Sequence, residues 1–216
     1  LGDVYKRQIP DRVYLLADDI FDEMVSRNVG EYRYPLGGKL YVFNKNENIG
    51  FIKGHMCSPA IATQAEDLVA VGFKELIHVL YAGGLQPELV PGEIILTDGA
   101  FNDTAVARLY GYDYDIIHSS KDLTNEIEEM ITSAEILYKR GFHWTTDAGY
   151  RETWGQVMDY RDKGALCVEM EGVGLFTIAN YRKCVATGIY VVSDVYLEDD
   201  WKLGWEGNDI KKAVGE

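Results

Sequence analysis

No run of apolar residues among the 216 approaches the length needed to cross a membrane. Basic residues are scarce too, 21 Lys and Arg against 35 Asp and Glu, which leaves a net charge of −14. Phosphate backbones are held by basic surfaces, so this acid excess argues against nucleic acid as a partner. Cysteine is sparse. Cys57, Cys167 and Cys184 form no C-x-x-C pair and have no histidine at ligand spacing, so they read as buried, reduced thiols of a cytoplasmic protein. No metal site is indicated, and His55, His78, His118 and His143 are scattered along the chain. Neither a G-x-G-x-x-G nor a Walker loop occurs, and no repeat or linker divides the sequence. The 47% hydrophobic content then fits one sizeable soluble domain with a substantial core.

Strands and helices alternate in the pattern. Strands are expected over Arg12 to Ala17, Lys39 to Phe43, Asn48 to Ile52, Leu76 to Ala82 and Glu93 to Thr97, and a short segment, Phe142 to Thr145, precedes the polar loop Thr146 to Tyr150. Helices are expected from Asp18 to Asn28, from Ser58 to Val71 with Ser58 as cap and Pro59 at the first helical position, and from Lys121 to Lys139, the longest. This alternation predicts a single α/β domain over residues 9–216, a central mixed, mostly parallel sheet flanked by helices in a three-layer sandwich. LGDVYKRQ at residues 1–8 matches no structural pattern and resembles a run found at the ends of translated environmental DNA assemblies, so it is left out of the fold. Asp209 to Glu216 reads as the first turns of an unfinished helix.

The chemistry concentrates between Ala165 and Val195. Leu166 to Val168 is a short apolar run, Glu169-Met170-Glu171 follows, and Gly172 to Tyr181 has helical spacing. Val185 to Val192 is a β-branched run closed by Ser193-Asp194. Strand, helix, strand normally makes a crossover with parallel strands, which would gather Glu169, Glu171 and Asp194 at the carboxyl edge of the sheet, where open α/β sheets bind ligands. Each acid also has a plainer reading, Glu171 as a helix-start charge and Asp194 as a cap. Acids converging on one edge repel one another unless a ligand uses them. A carboxylate so held can accept hydrogen bonds from two neighbouring hydroxyls, and a partly desolvated one can stay protonated as a general acid. Ala82-Gly83-Gly84 ends another strand, where glycine lets backbone approach a ligand or simply makes a tight turn.

VEMEGVGLF, SD closing a late strand, AGGLQ before PGE, and TTDAGY together resemble the nucleoside phosphorylase-I family, on its uridine-phosphorylase-like branch, from about Ile9 to the C-terminal end. That resemblance implies cleavage of the N-glycosidic bond of a purine or uridine-type nucleoside by phosphate, giving free base and pentose 1-phosphate. Inorganic phosphate is the only co-substrate implied, with no cofactor, and the assembly is a homodimer or a hexamer. Carried across, Glu171 binds the ribose hydroxyls and Met170 packs against the sugar. Val168, Glu169, Ala82 and Gly83 lie near the base, with Ser193 beside Asp194, the acid that protonates the leaving base. Tyr150 remains as cover for the sugar or base, because Gly149 stands where the family has an aromatic residue. The phosphate elements depart most. His78 stands in place of an arginine, Tyr81 in place of Ser or Thr, and Arg33 lies three residues from the expected place of a neighbour-donated arginine. A nucleosidase using water, with Glu169 as base, and a non-catalytic nucleoside-binding homologue are the alternatives.

Overall fold

The elements follow in the order β1 (Arg12–Leu16), α1 (Asp18–Ser26), β2 (Gly30–Arg33), β3 (Leu40–Phe43), β4 (Ile49–Lys53), α2 (Ser58–Val71), β5 (Glu75–Gly84), β6 (Ile94–Asp103), α3 (Val106–Leu109), β7 (Ile116–His118), α4 (Lys121–Ser133), β8 (Tyr138–Thr146), α5 (Trp154–Asp162), β9 (Cys167–Glu169), α6 (Gly172–Arg182), β10 (Val185–Tyr196) and β11 (Trp201–Leu203). This computed structural model describes residues 9–33, 39–197 and 201–203, without the side chains of Arg33 and of 201–203. The readings of residues 1–8 and of Asp209 to Glu216 lie outside the described residues.

One mixed sheet runs through the domain in the order β11-β10-β6-β8-β9-β5-β1-β4-β3-β2, and β10 also pairs with β5. That extra pairing closes β10, β6, β8, β9 and β5 into a ring, a step beyond the open sheet expected. The long ladders β5·β10 and β6·β8 are parallel, as is the short β8·β9 ladder, whereas the short β6·β10 and β5·β9 ladders are antiparallel. Side chains of a strand alternate between faces. On β5, Leu76 packs with Ile61, Ala65 and Leu68 of α2 and Phe176 and Ile178 of α6, whereas Ile77 packs with Leu123, Ile127 and Ile131 of α4. Helices therefore cover both faces, and each such fully buried Leu, Ile or Phe contributes about 1.5–3 kcal/mol. The contact between α2 and α6 is close because Gly174 has no side chain: a Cβ there would lie 2.5 Å from the Ser58 carbonyl oxygen.

Several boundaries differ from the sequence reading. The Lys121 helix stops at Ser133 and is one residue shorter than α2. Glu135 takes a left-handed φ of +56°, and Ile136 and Tyr138 then turn inward against the Ile127 cluster as β8 begins. Cys57, not Ser58, caps α2; the Ser58 hydroxyl donates instead to the Met170 carbonyl at 2.9 Å. Gly72 does end α2, in the left-handed conformation glycine adopts without strain. Helix α5 has no counterpart in the reading, although Thr153 and Gln156 form the reciprocal capping box that T-x-x-Q encodes. Most consequentially, β9 is antiparallel to β5 while β10 is parallel to it, so β9 and β10 are not the parallel pair of a simple crossover.

Candidate active site

The acids still converge, by a different route. Gly83 of β5 pairs with Val168 on one side and with Asp194 on the other. Neither β5 nor β10 stops where expected: β5 runs through Gly83-Gly84, so these glycines are no turn, and β10 runs through Ser193-Asp194 to Tyr196. A Cβ on Gly83 would lie 3.3 Å from each of Asp194 Oδ2, Tyr196 Cε2 and Val168 Cγ1. Glycine here lets the β5 backbone lie close to all three of these side chains.

Glu169, at the end of β9, turns its carboxylate inward. Its Oε2 accepts the N–H groups of Glu171 at 2.8 Å and Gly172 at 2.7 Å, two of the unpaired donors at the start of α6. Its Oε1 accepts the Thr145 hydroxyl at 2.5 Å and faces His143 Nε2 at 3.1 Å. Burial alone would raise its pKa, but His143, Thr145 and His78 outweigh burial and hold it below the usual carboxylate range. The geometry gives Glu169 the work of anchoring the helix start. This corrects its placement in the base pocket and as a hydrolytic base, since every bond above points into the protein.

Glu171 sits two residues on, at the N-cap of α6. Its Oε1 accepts the Cys57 N–H at 2.7 Å and its Oε2 the Met170 N–H at 3.2 Å. Cys57 reaches it through a φ of +70°, a left-handed conformation that a non-glycine residue adopts only at a cost of about 1–3 kcal/mol. The carboxyl thus draws the 54–57 loop over itself. Burial first, and the neighbouring Glu169 charge second, push its pKa up to about 8.

At the other end, Asp194 Oδ1 accepts the Ser193 hydroxyl at 2.5 Å, and that hydroxyl also faces the Ala82 carbonyl at 3.2 Å. Ser193 and Ala82 are buried and hold Asp194 in place from behind. Glu152, absent from the sequence reading, lies nearby with its Oε2 accepting the Tyr196 hydroxyl at 2.6 Å. Burial, with Asp194 as a smaller cause, raises its pKa. Between the two ends, a Cβ on Gly149 would lie 3.5 Å from Glu152 Oε1 and 3.7 Å from Met170 Sδ. Glycine in place of an aromatic residue therefore opens the wall beside Met170.

Two expectations are corrected. Tyr150, within the 3-10 turn Gly149–Arg151, is fully exposed at 108% and covers nothing in this chain. His78 and Tyr81 do not meet in a phosphate site either. Three residues apart on β5, they face opposite sides of the sheet. His78 is wholly buried with no hydrogen-bond partner on either ring nitrogen, and burial lowers its pKa to about 4, which keeps it neutral. The Tyr81 hydroxyl donates to Asp19 Oδ2 at 2.6 Å. The Arg33 side chain lies outside the described residues. Among the described residues no three His, Cys, Asp or Glu side chains gather to hold a metal ion, and no helix is long and apolar enough to cross a membrane.

Fold and site together define an α/β protein with a glycine-backed wall and a carboxyl group at either end of it. A family model described as the Phosphorylase superfamily matches residues 9–213, and the chain belongs to that superfamily. It is 29% identical over 214 residues to a purine nucleoside phosphorylase DeoD-type from Exiguobacterium sibiricum, covering 96% of this chain and 89% of the relative. A protein of the same name from Caldanaerobacter subterraneus subsp. tengcongensis is 28% identical over 188 residues, covering 86% and 79%. The crystal structure of purine nucleoside phosphorylase from Toxoplasma gondii in complex with immucillin-H superposes with a TM-score of 0.82 at 18% identity, over 96% of this chain and 86% of that one, which shows a shared fold.

Proposed function

We propose that this chain is a nucleoside phosphorylase, a pentosyltransferase that moves the sugar of a nucleoside from base to phosphate. The observation that carries the reading is the placement of Glu171 and Asp194 at the two ends of the wall formed by Met170, Val168 and Gly83. Glu171 accepts hydrogen bonds from the sugar hydroxyls, and Met170 packs on the sugar. As the C1′–N bond breaks, positive charge develops on the sugar, and a carboxylate beside it stabilises that charge. The bond's electron pair leaves with the base, which takes a proton from Asp194. A phosphate oxygen then closes on C1′, giving pentose 1-phosphate and free base. The names of the relatives and a proton donor at the base end both support a purine nucleoside as substrate.

One observation favours a second reading, hydrolysis. The residues expected to hold phosphate are a buried neutral His78 and a Tyr81 hydroxyl bonded to Asp19, and a dianion is normally held by arginine forks or backbone nests. The test is free-base release from inosine, adenosine and uridine, with and without phosphate. Phosphorolysis predicts release that requires phosphate, with pentose 1-phosphate formed. Equal release without phosphate would make water the nucleophile, and nucleoside binding without release would overturn both readings.

A further inference from the structure

Directly under the start of α6 lies His143 of β8, completely buried. A Cβ on Gly172 would meet its Nε2 at 2.5 Å, so only glycine at that position lets the imidazole sit against the helix terminus. We propose that His143 is the positioning residue of this site, fixing Glu171 through Glu169. The inference rests on the reading of Glu171 as the sugar contact.

The linkage runs through a continuous chain of contacts from one end to the other. His143 Nδ1 lies 2.6 Å from Thr97 Oγ1, which is itself 2.9 Å from the Gly99 carbonyl and 3.0 Å from the Gly99 N–H, on β6. The ring is thereby pinned on one side. Its other nitrogen lies 3.1 Å from Glu169 Oε1, and a ring nitrogen that close to a carboxylate requires a proton between them. Glu169, held there, spends its second oxygen on the N–H groups of Glu171 and Gly172. The same N–H groups fix where the Glu171 backbone stands, and so where its carboxyl meets Cys57 and the sugar. Tyr190 of β10 closes the other face of the ring, 4.7 Å between centroids, and Phe176 of α6 stands at 6.1 Å.

The arrangement also couples the charges of the two glutamates. Around His143 stand Thr97, Thr145, Glu169 and Tyr190, with His78 acting on Glu169 from β5. Around Glu171 stand Glu169, the Cys57 and Met170 N–H groups and Tyr190, with Asp147 near Cys57. His143 keeps Glu169 negative in a buried place, and that charge opposes ionisation of Glu171. Without His143, Glu169 loses its main counter to burial and its pKa rises, so its charge opposes Glu171 less and Glu171 ionises at lower pH.

His143→Phe fills the space with a ring and removes both nitrogens. The expected result is a fall in kcat/KM of roughly ten- to a hundredfold, the usual cost of losing an outer partner that orients a working group. The Glu171 titration, followed by carboxyl carbon NMR against a Glu171→Gln reference, moves to lower pH. His143→Gln, which keeps an N–H for Glu169, restores most of the rate and the titration. Should the Phe variant not fold, Glu169→Gln carries the test, because removing that charge must move the same titration in the same direction. A Glu171 titration unmoved in His143→Phe or in Glu169→Gln overturns the inference, whatever the loss of stability. A moved titration in a protein that cleaves no nucleoside leaves the positioning intact and overturns the proposed function instead.

Discussion

Glu171→Ala is expected to lower kcat/KM for nucleoside cleavage by about a hundred- to a thousandfold, with KM raised and kcat lowered. The size follows from removing one fixed electrostatic contact to a charge that develops in the transition state. Loss in both constants follows because the contact exists with bound substrate and strengthens as the sugar becomes cationic. Steady-state kinetics on the best nucleoside checks this, and unchanged constants would remove Glu171 from the site. The pH behaviour carries a second signature. The ionised carboxylate is the form that accepts two hydroxyls, so activity rises as pH approaches and passes the Glu171 pKa of about 8. Stability moves the opposite way. With the folded pKa raised above the unfolded carboxylate value, folding retains a proton, so this group's contribution is full below the unfolded value and is lost as pH rises through about 8. Glu171→Gln abolishes that part of the pH dependence of unfolding, since glutamine does not titrate.

Asp194→Asn is expected to cut purine nucleoside cleavage by about a hundred- to ten-thousandfold, the range for a positioned general acid, and to spare uridine cleavage by comparison. Asparagine keeps the shape that accepts the Ser193 hydroxyl but has no acidic proton for the departing base. A uracil leaves without needing the proton a purine takes at N7, so the ratio of the two rates isolates the proton transfer from any local disturbance. Equal loss on purine and uridine would mean that Asp194 supports the wall instead of delivering a proton.

Local pattern carried much of this. Alternation of apolar strands with amphipathic helices was enough to place helices on both faces of a mixed sheet, because each element's burial is written in its own periodicity. The Glu169-Met170-Glu171 segment, the following helix and the late acid Asp194 were likewise legible as short-range features. Strand direction was not. Whether β9 runs with or against β10 depends on β5 lying between them, a contact across more than 80 residues that no local spacing encodes. The same long-range pairing carries β5 straight through Gly83-Gly84, where two glycines read locally as a turn.

The division of labour between the glutamates was hidden for a similar reason. Glu169 is an anchor because Thr145 and His143 come to it from β8, and the isolated sequence offers His143 only as one scattered histidine. His78 and Tyr81 were placed in a phosphate site by the resemblance alone, as the residues standing where the family has an arginine and a Ser or Thr. Their spacing of three on a strand sends them to opposite faces, and the period-two rule applied to Leu76 to Ala82 was the signal that separates them. Glu152 gave no such signal, since its partner Tyr196 is 44 residues away.

The most direct measurement is the crystal structure of the chain with a nucleoside bound. The account predicts sugar hydroxyls within hydrogen-bond distance of the Glu171 carboxyl, the sugar on Met170, and the base against Gly83 and Val168 with Asp194 at its N7 edge. A nucleoside bound elsewhere, or a sugar turned away from Glu171, would contradict it.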